Sequence, residues 1–201
     1  NMMVATFSNN SQGEKVGFLS MLSFSTMTAP DKIQIPTRSG FTERAMADIW
    51  LASPQRRAYF DMGIYPNDDE PSGVLNLWNG WGASPDPKAT CDNFINHMRD
   101  VICDQNELVH NWLLDWMADC VQDPRNIKGT CIVLRGVEGC GKGAWADNFG
   151  RLFGKHYTHL IDAERLTSRF NSLTADSIIV FADEVLWPGD RKAANVLKGL
   201  I

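Results

Sequence analysis

Three kinds of feature are missing from this sequence. It has no Cys-x-x-Cys pair, because its five cysteines stand apart at positions 91, 103, 120, 131 and 140. It has no uninterrupted apolar run of about 18 residues, the length at which a transmembrane helix is expected. Positive charge is also scarce, since 19 Lys and Arg stand against 24 Asp and Glu. These absences predict reduced thiols, no membrane partner and a cytoplasmic location.

The net charge of −5 excludes an overall basic field that would hold nucleic acid. Any contact with a polynucleotide must therefore be local. The candidates for such a contact, with a polynucleotide or with a neighbouring subunit, are Arg165, Arg169, Arg191 and Lys192. For each of them a solvated surface position is the favoured interpretation. A zinc site is not predicted, because Cys91, His97 and Cys103 lie on one predicted helix and their spacing fits no compact zinc module.

The pattern of apolar residues predicts three segments. Residues 1–40 form an irregular or short-stranded lead-in, and residues 41–127 form a mainly helical region with helices at 41–52, 92–103 and 106–121 and a strand at 74–78. In residues 128–201, strands at 130–134, 157–161 and 177–182 alternate with helices at 142–153, 162–170 and 191–201. This alternation predicts an α/β fold, a three-layer P-loop sandwich with a parallel sheet.

A glycine-rich loop stands between the first of these strands and its helix. The run from Gly136 to Gly143 matches Gly-x-x-x-x-Gly-Lys. Glycines let successive N–H groups turn toward phosphate oxygens, a helix beginning at Lys142 adds its dipole, and the lysine reaches the β- and γ-phosphates. The residues predicted to bind ATP are Gly136, Val137, Glu138, Gly139, Cys140, Gly141, Lys142, Gly143 and Ala144.

Two carboxylates end the apolar run at 178–182. Asp183 is predicted to hold Mg²⁺, and Glu184 to orient and deprotonate the attacking water, with Lys142 as the second catalytic residue. The Ser or Thr that usually follows the loop lysine and binds the metal is replaced by Gly143. We therefore expect weaker or more water-mediated contact with the metal.

Two tryptophans in the glycine-rich stretch before the helical pair carry two interpretations. Trp78 and Trp81 could stack on bases of single-stranded nucleic acid. Packing against the helical pair is the favoured interpretation.

These elements together resemble phage and viral primase-helicases, and more narrowly the poxvirus-type group within superfamily 3 helicases. The resemblance covers residues from about 45 to 201. It is carried by the helical pair and by the runs Leu75-Asn76-Leu77-Trp78, Val121-Gln122-x-Pro124, Gly136-x-Glu138-Gly139-x-Gly141-Lys142-Gly143 and Asp183-Glu184. It implies ATP hydrolysis at subunit interfaces, a hexameric ring, movement on single-stranded DNA and a place in the host cytoplasm.

The sequence departs from the family in two respects. Residues 1–60 contain no primase catalytic motif, and the family's sensor strand, DNA-contacting hairpin and arginine finger are expected mostly past Ile201. A C-terminally truncated ATPase that is weakly active alone is the resulting expectation. Two alternatives stay open: a nucleotide kinase of the adenylate-kinase type, and a non-catalytic nucleotide-binding or assembly module.

Overall fold

The computed structural model describes residues 3–10, 13–126, 129–161 and 176–183 of the chain. The chain divides into two units, and each is described by itself. The first comprises residues 1–62 with 71–75, and the second comprises residues 63–70 with 76–201.

The first unit opens with an antiparallel hairpin and a helix. Strand β1 (Met3–Asn10) pairs with β2 (Gly13–Ser20). Helix α1 (Met21–Thr28) follows directly, because the Ser20 hydroxyl accepts the Ser23 N–H at 3.0 Å and caps the first turn. The first 28 residues of the predicted lead-in thus contain two full strands and a helix.

A second hairpin and helix follow in the same unit. Strand β3 (Lys32–Thr37) pairs antiparallel with β4 (Gly40–Ala45), and helix α2 (Met46–Ala52) begins at the next residue. The helix predicted from Phe41 is therefore wrong over residues 41–45. Phe41 and Thr42 favour a strand, and pairing with β3 satisfies backbone groups that a helix would otherwise have used.

Two three-residue strands lie where the chain passes between the units. They are β5 (Asp61–Gly63) and β6 (Val74–Asn76), which form a two-stranded sheet. Within the second unit, the Asn76 amide closes the intervening loop by donating to the Tyr65 carbonyl at 2.9 Å and accepting the Tyr65 N–H at 3.1 Å. The strand predicted at 74–78 is confirmed for its first three residues.

The predicted helical pair is confirmed in the second unit. Helix α3 (Asp92–His97) continues as a π-helical segment (Met98–Ile102), in which the Cys103 N–H donates to the Met98 carbonyl five residues earlier at 2.9 Å. Helix α4 (Glu107–Gln122) begins after Asn106, whose side chain accepts two N–H groups of the first turn.

The chain after the glycine-rich loop forms a helix and a parallel strand pair. Helix α5 (Lys142–Gly150) tightens into a 3₁₀ helix (Arg151–His156), and β7 (Tyr157–Leu160) pairs in parallel with β8 (Ile179–Ala182). The strands predicted at 157–161 and 177–182 are confirmed over residues 157–160 and 179–182. The helix predicted at 142–153 is confirmed with a 3₁₀ ending.

Residues 130–134, predicted as a strand, belong to none of the strands in the part of the chain that the structure describes. Ile132 and Leu134 are half-buried and alternate with exposed neighbours, a period typical of extended chain with one covered face. Where the sequence predicted a strand, the structure has an extended segment that is half-buried on one face. The three-layer sandwich stays a prediction, and the helices predicted at 162–170 and 191–201 lie outside the described residues.

One core holds α5 in place within the second unit. Trp145 and Ala146 of α5 are buried with Met98, Cys103 and Leu113, and the half-buried side chains packed on this cluster include Ile132, Leu134 and Phe181. A second cluster joins Cys120 of α4 to Phe149 and Phe153. The buried positions 145, 146, 149 and 150 share one helical face. The start of α5 is therefore fixed by the π-helical segment and α4.

Candidate phosphate-binding and acidic site

The glycine-rich loop turns twice through left-handed backbone. Gly139 has φ of 77° and Gly141 has φ of 89°, conformations that glycine adopts without steric cost. Gly141 is also the residue that precedes the first turn of α5, and its carbonyl accepts the Trp145 N–H at 3.0 Å. The loop thus leads directly into the helix that the core holds.

Lys142 turns back over the loop that precedes it. Its Nζ donates to the carbonyl of Gly136 at 3.1 Å and to that of Val137 at 2.8 Å, and it lies 3.6 Å from Cys140 Sγ. Neutral carbonyls are weaker acceptors for an ammonium group than an ionised phosphate. A phosphate that approaches the loop can therefore replace these carbonyls as the hydrogen-bond acceptor of the Lys142 ammonium group.

The beginning of α5 offers further donors. The first N–H groups of a helix have no partner within the helix and carry the positive end of its dipole. Gly143 and Ala144 lie in this first turn and bring no hydroxyl group. The turn can therefore bind an anion through its backbone, and a metal ion only through groups from elsewhere.

Helix α5 runs antiparallel to strand β7. Its last residue, Gly150, lies against the Tyr157 ring at the start of β7. One turn earlier, Asp147 Oδ1 accepts the Tyr157 hydroxyl at 2.6 Å and lies 3.4 Å from Nδ1 of His159, two residues further along the strand. The N-terminus of α5 is therefore directed toward the carboxyl end of the parallel strands.

Asp183 lies at that carboxyl end. Its N–H donates to the Leu160 carbonyl at 2.9 Å, which extends the pairing of β7 and β8 by one bond. The carboxylate is 49% exposed, and its Oδ2 lies 3.9 Å from His159 Nε2. His159 thus stands between two carboxylates, Asp147 on the helix and Asp183 at the strand end.

His159 and Asp147 were missed by sequence reasoning. Neither belongs to a contiguous motif, and the contact depends on how α5 packs on β7. The only hint in the sequence was that His159 is a polar residue near the end of a predicted strand. In the structure it lies opposite Phe181 in the parallel register.

Burial, together with the hydrogen bond to Asp147, raises the pKa of Tyr157 above its ordinary value. The nearby carboxylates of Asp147 and Asp183 act in the same direction, whereas Arg151 opposes them. The Tyr157 hydroxyl therefore keeps its proton at neutral pH and donates it to Asp147 in a hydrogen bond.

The donors present fit a magnesium ion held mainly by water and substrate. Among the described residues, no group of three His, Cys, Asp or Glu side chains could hold a metal ion by itself. Mg²⁺ commonly keeps several waters and takes one or two carboxylates together with substrate phosphates. Asp183 can supply such a carboxylate. Glu184, predicted as the catalytic base, lies outside the described residues, as do Arg165, Arg169, Arg191 and Lys192.

Trp78 and Trp81 contact aromatic rings of the 3₁₀ helix, and Trp81 stays 44% exposed. Trp78 stacks on the buried His156 ring at 4.9 Å, and Trp81 lies 5.7 Å from the Phe153 ring. The backbone at Gly82 approaches the 3₁₀ helix closely, since its N–H donates to the Leu152 carbonyl at 2.8 Å. Both rings meet the 3₁₀ helix, where the sequence favoured the helical pair, and stacking on bases stays a prediction.

None of the five cysteines, which all lie among the described residues, forms a disulfide. Burial raises the pKa of the Cys103 thiol. No helix among the described residues is both long and apolar enough to cross a bilayer.

A family described as a family of unknown function (DUF5906) matches residues 134–201. The match runs from the end of the extended segment through the loop, α5, β7 and the acidic pair, which is less than half of the chain. No curated protein and no solved structure matches the sequence.

Proposed function

We propose that this chain is the ATP-binding and hydrolysing core of a phage or viral replicative DNA helicase or primase-helicase. The observation that carries the proposal is the Lys142 ammonium, held by the Gly136 and Val137 carbonyls at the start of α5. A cation, a left-handed glycine turn and a helix N-terminus at one place form an arrangement suited to a phosphate chain.

Binding of ATP would exchange the partners of Lys142. Its Nζ leaves the two loop carbonyls for oxygens of the β- and γ-phosphates, which are stronger acceptors. The N–H groups at the start of α5 donate to the same phosphates. Because the core fixes α5 through Trp145 and Phe149, the helix needs no rearrangement to do so.

Hydrolysis would use the carboxyl end of the parallel strands. Magnesium supplies positive charge that neutralises the phosphates as charge develops. Asp183 would hold its water ligands, and the neighbouring Glu184 would orient the attacking water and accept its proton. Asp147 would keep His159 in place beside Asp183.

The assignment to helicases rests on the resemblance of the motifs. The proposed partners, single-stranded DNA and further copies of this chain in a ring, rest on the same resemblance. The net charge of −5 requires that DNA contacts be confined to a few basic residues. Fluorescence anisotropy of a labelled oligothymidylate, with and without Mg-ATP, tests this partner. Absence of binding at low salt in both states would contradict it.

The experiment that tests the nucleotide site is a thermal shift with Mg-ATP. At about 100 times its Kd, a ligand stabilises the folded state by roughly 2.7 kcal/mol. We expect the shift in the wild-type chain and in Lys88→Ala, which removes an exposed lysine in the same unit, and its loss in Lys142→Ala.

Equal shifts in all three proteins would place the nucleotide elsewhere, and no shift in any would remove the ATPase proposal. The reaction is then read from the products. Free phosphate supports hydrolysis, whereas transfer to a nucleoside monophosphate without free phosphate would support a nucleotide kinase. Binding without either reaction would support a non-catalytic module.

A further inference from the structure

A histidine from the helical region contacts the glycine-rich loop. His97, the last residue of α3, places its Nε2 3.3 Å from the Gly141 carbonyl oxygen. A carbonyl only accepts, so Nε2 carries a proton and donates it. The two residues are 44 positions apart in the sequence. This contact is therefore made by the fold, and no motif contains it.

The ring also fills the space beside Gly141. A Cβ atom at that position would lie 2.7 Å from both Cε1 and Nε2 of His97. Two features thus require glycine at position 141: its backbone is left-handed, and the His97 ring occupies the space that a Cβ would take. The contact is close enough to fix where this residue sits.

Holding the Gly141 carbonyl has a consequence for Lys142. The carbonyl of one residue and the N–H of the next belong to the same planar trans peptide and point in opposite directions. When His97 and Trp145 bind the Gly141 oxygen, they turn the Lys142 N–H away from the His97 ring. That N–H belongs to the first turn of α5 and has no acceptor within the helix.

The histidine is itself held firmly. The residue after it, Met98, is fully buried in the core cluster that contains Trp145 and Ala146 of α5. Both ends of the contact, His97 and Gly141, are thus tied to the same packed group of side chains. A close-packed interior lets neither side shift without cost.

We propose that His97 is a positioning residue of the nucleotide site, which aims the Lys142 N–H at the phosphate chain by holding the Gly141 carbonyl. This proposal rests on the proposed nucleotide-binding function and deepens it. It assigns a role in phosphate binding to the helical region, outside the glycine-rich loop.

The test is calorimetric titration of Mg-ATP into the full chain and four variants. We expect His97→Ala to weaken binding about three- to tenfold, the effect of losing one hydrogen bond. His97→Gln keeps an N–H donor at similar reach and should stay within about twofold of the wild type. Asn96→Ala changes the exposed neighbour on the same helix and serves as the matched control. Lys142→Ala should abolish binding.

A second measurement separates positioning from general stability. The amide resonance of Lys142 in the ¹⁵N spectrum should move in His97→Ala and return toward its wild-type position in His97→Gln. A residue that merely stabilised the fold would lower the melting temperature and leave the Kd unchanged at a temperature far below melting. If His97→Ala does not fold, His97→Leu, of similar volume and without a donor, replaces it.

The outcomes distinguish the two proposals. Wild-type binding that is lost in Lys142→Ala but unchanged in His97→Ala would overturn the role of His97 alone. Equal weakening in His97→Ala and His97→Gln would also overturn it, because the donor would then not matter. Absence of binding by the wild-type chain, or undiminished binding by Lys142→Ala, would overturn both.

Discussion

At the scale of single residues, the glycines of the loop are not equivalent. Gly141 has left-handed backbone, and a Cβ there would collide with the His97 ring, whereas a Cβ at Gly143 would meet nothing within 4 Å. The two positions lie two residues apart in one motif. The difference between them comes from the surrounding fold and gives a direct comparison of substitutions.

Gly141→Ala is expected to destabilise the chain by about 2 kcal/mol or more, because left-handed backbone alone costs an L-residue about 1–2 kcal/mol and the collision with His97 adds to it. Gly143→Ala, in the first turn of a helix, should be neutral or stabilising by roughly 0.5–1 kcal/mol. Urea unfolding of both variants measures this. Equal stability of the two would contradict the close contact between Gly141 and His97.

The raised pKa of Tyr157 predicts a loss of folding stability at alkaline pH. Since its pKa is raised in the folded chain, the unfolded chain releases the phenolic proton first, at a pKa of about 10. The stability that Tyr157 contributes is present below that pH and is lost as the pH rises above it. We expect the unfolding free energies of the wild type and Tyr157→Phe to converge above pH 10, as measured by urea unfolding at several pH values. A constant difference would contradict this.

At the scale of elements, α5 links the loop to the core. Its aromatic face, Trp145 and Phe149, packs on α4 and the π-helical segment, and the Phe149 and Phe153 rings meet edge to face at 5.3 Å. The placement of the loop therefore depends on the packing of this helix as much as on the glycines.

Phe149→Ala should destabilise the chain by about 3–5 kcal/mol, because it removes a buried aromatic ring and leaves a cavity. Leu152→Ala, at a partly exposed position two residues after α5 ends, should cost much less, about 0.5 kcal/mol. Thermal unfolding of the two variants gives the comparison. Similar melting temperatures would mean that α5 is not packed as described.

Much of this arrangement could be predicted from the sequence where the signal is local. The helices α3 and α4 follow from apolar residues at helical spacing, and the loop follows from one contiguous run of glycines and a lysine. The contacts of His97, Asp147 and His159 could not be predicted, because they join residues whose proximity depends on tertiary packing. The helix prediction is wrong from Phe41 to Ala45 because pairing with β3 outweighs helical spacing.

At the scale of the whole molecule, charge governs behaviour in solution. The chain carries a net charge of −5 with a pI near 5.3, and several large apolar side chains are exposed, among them Leu108 and Trp112 on α4. Repulsion between like-charged molecules falls as the pH approaches the pI. Light scattering should therefore show association rising between pH 7 and pH 5.3. Unchanged scattering would indicate that the exposed apolar groups do not drive association.

The π-helical segment after His97 fits about one more residue into the same rotation than a regular α-helix would. If the five residues Met98–Ile102 formed regular α-helix instead, everything before them would turn by roughly 100°, the rotation of one residue, relative to everything after them. The sequence would be unchanged, but His97 would face another direction. The winding of this helix, and not only the identity of its residues, thus sets which backbone group the histidine can reach.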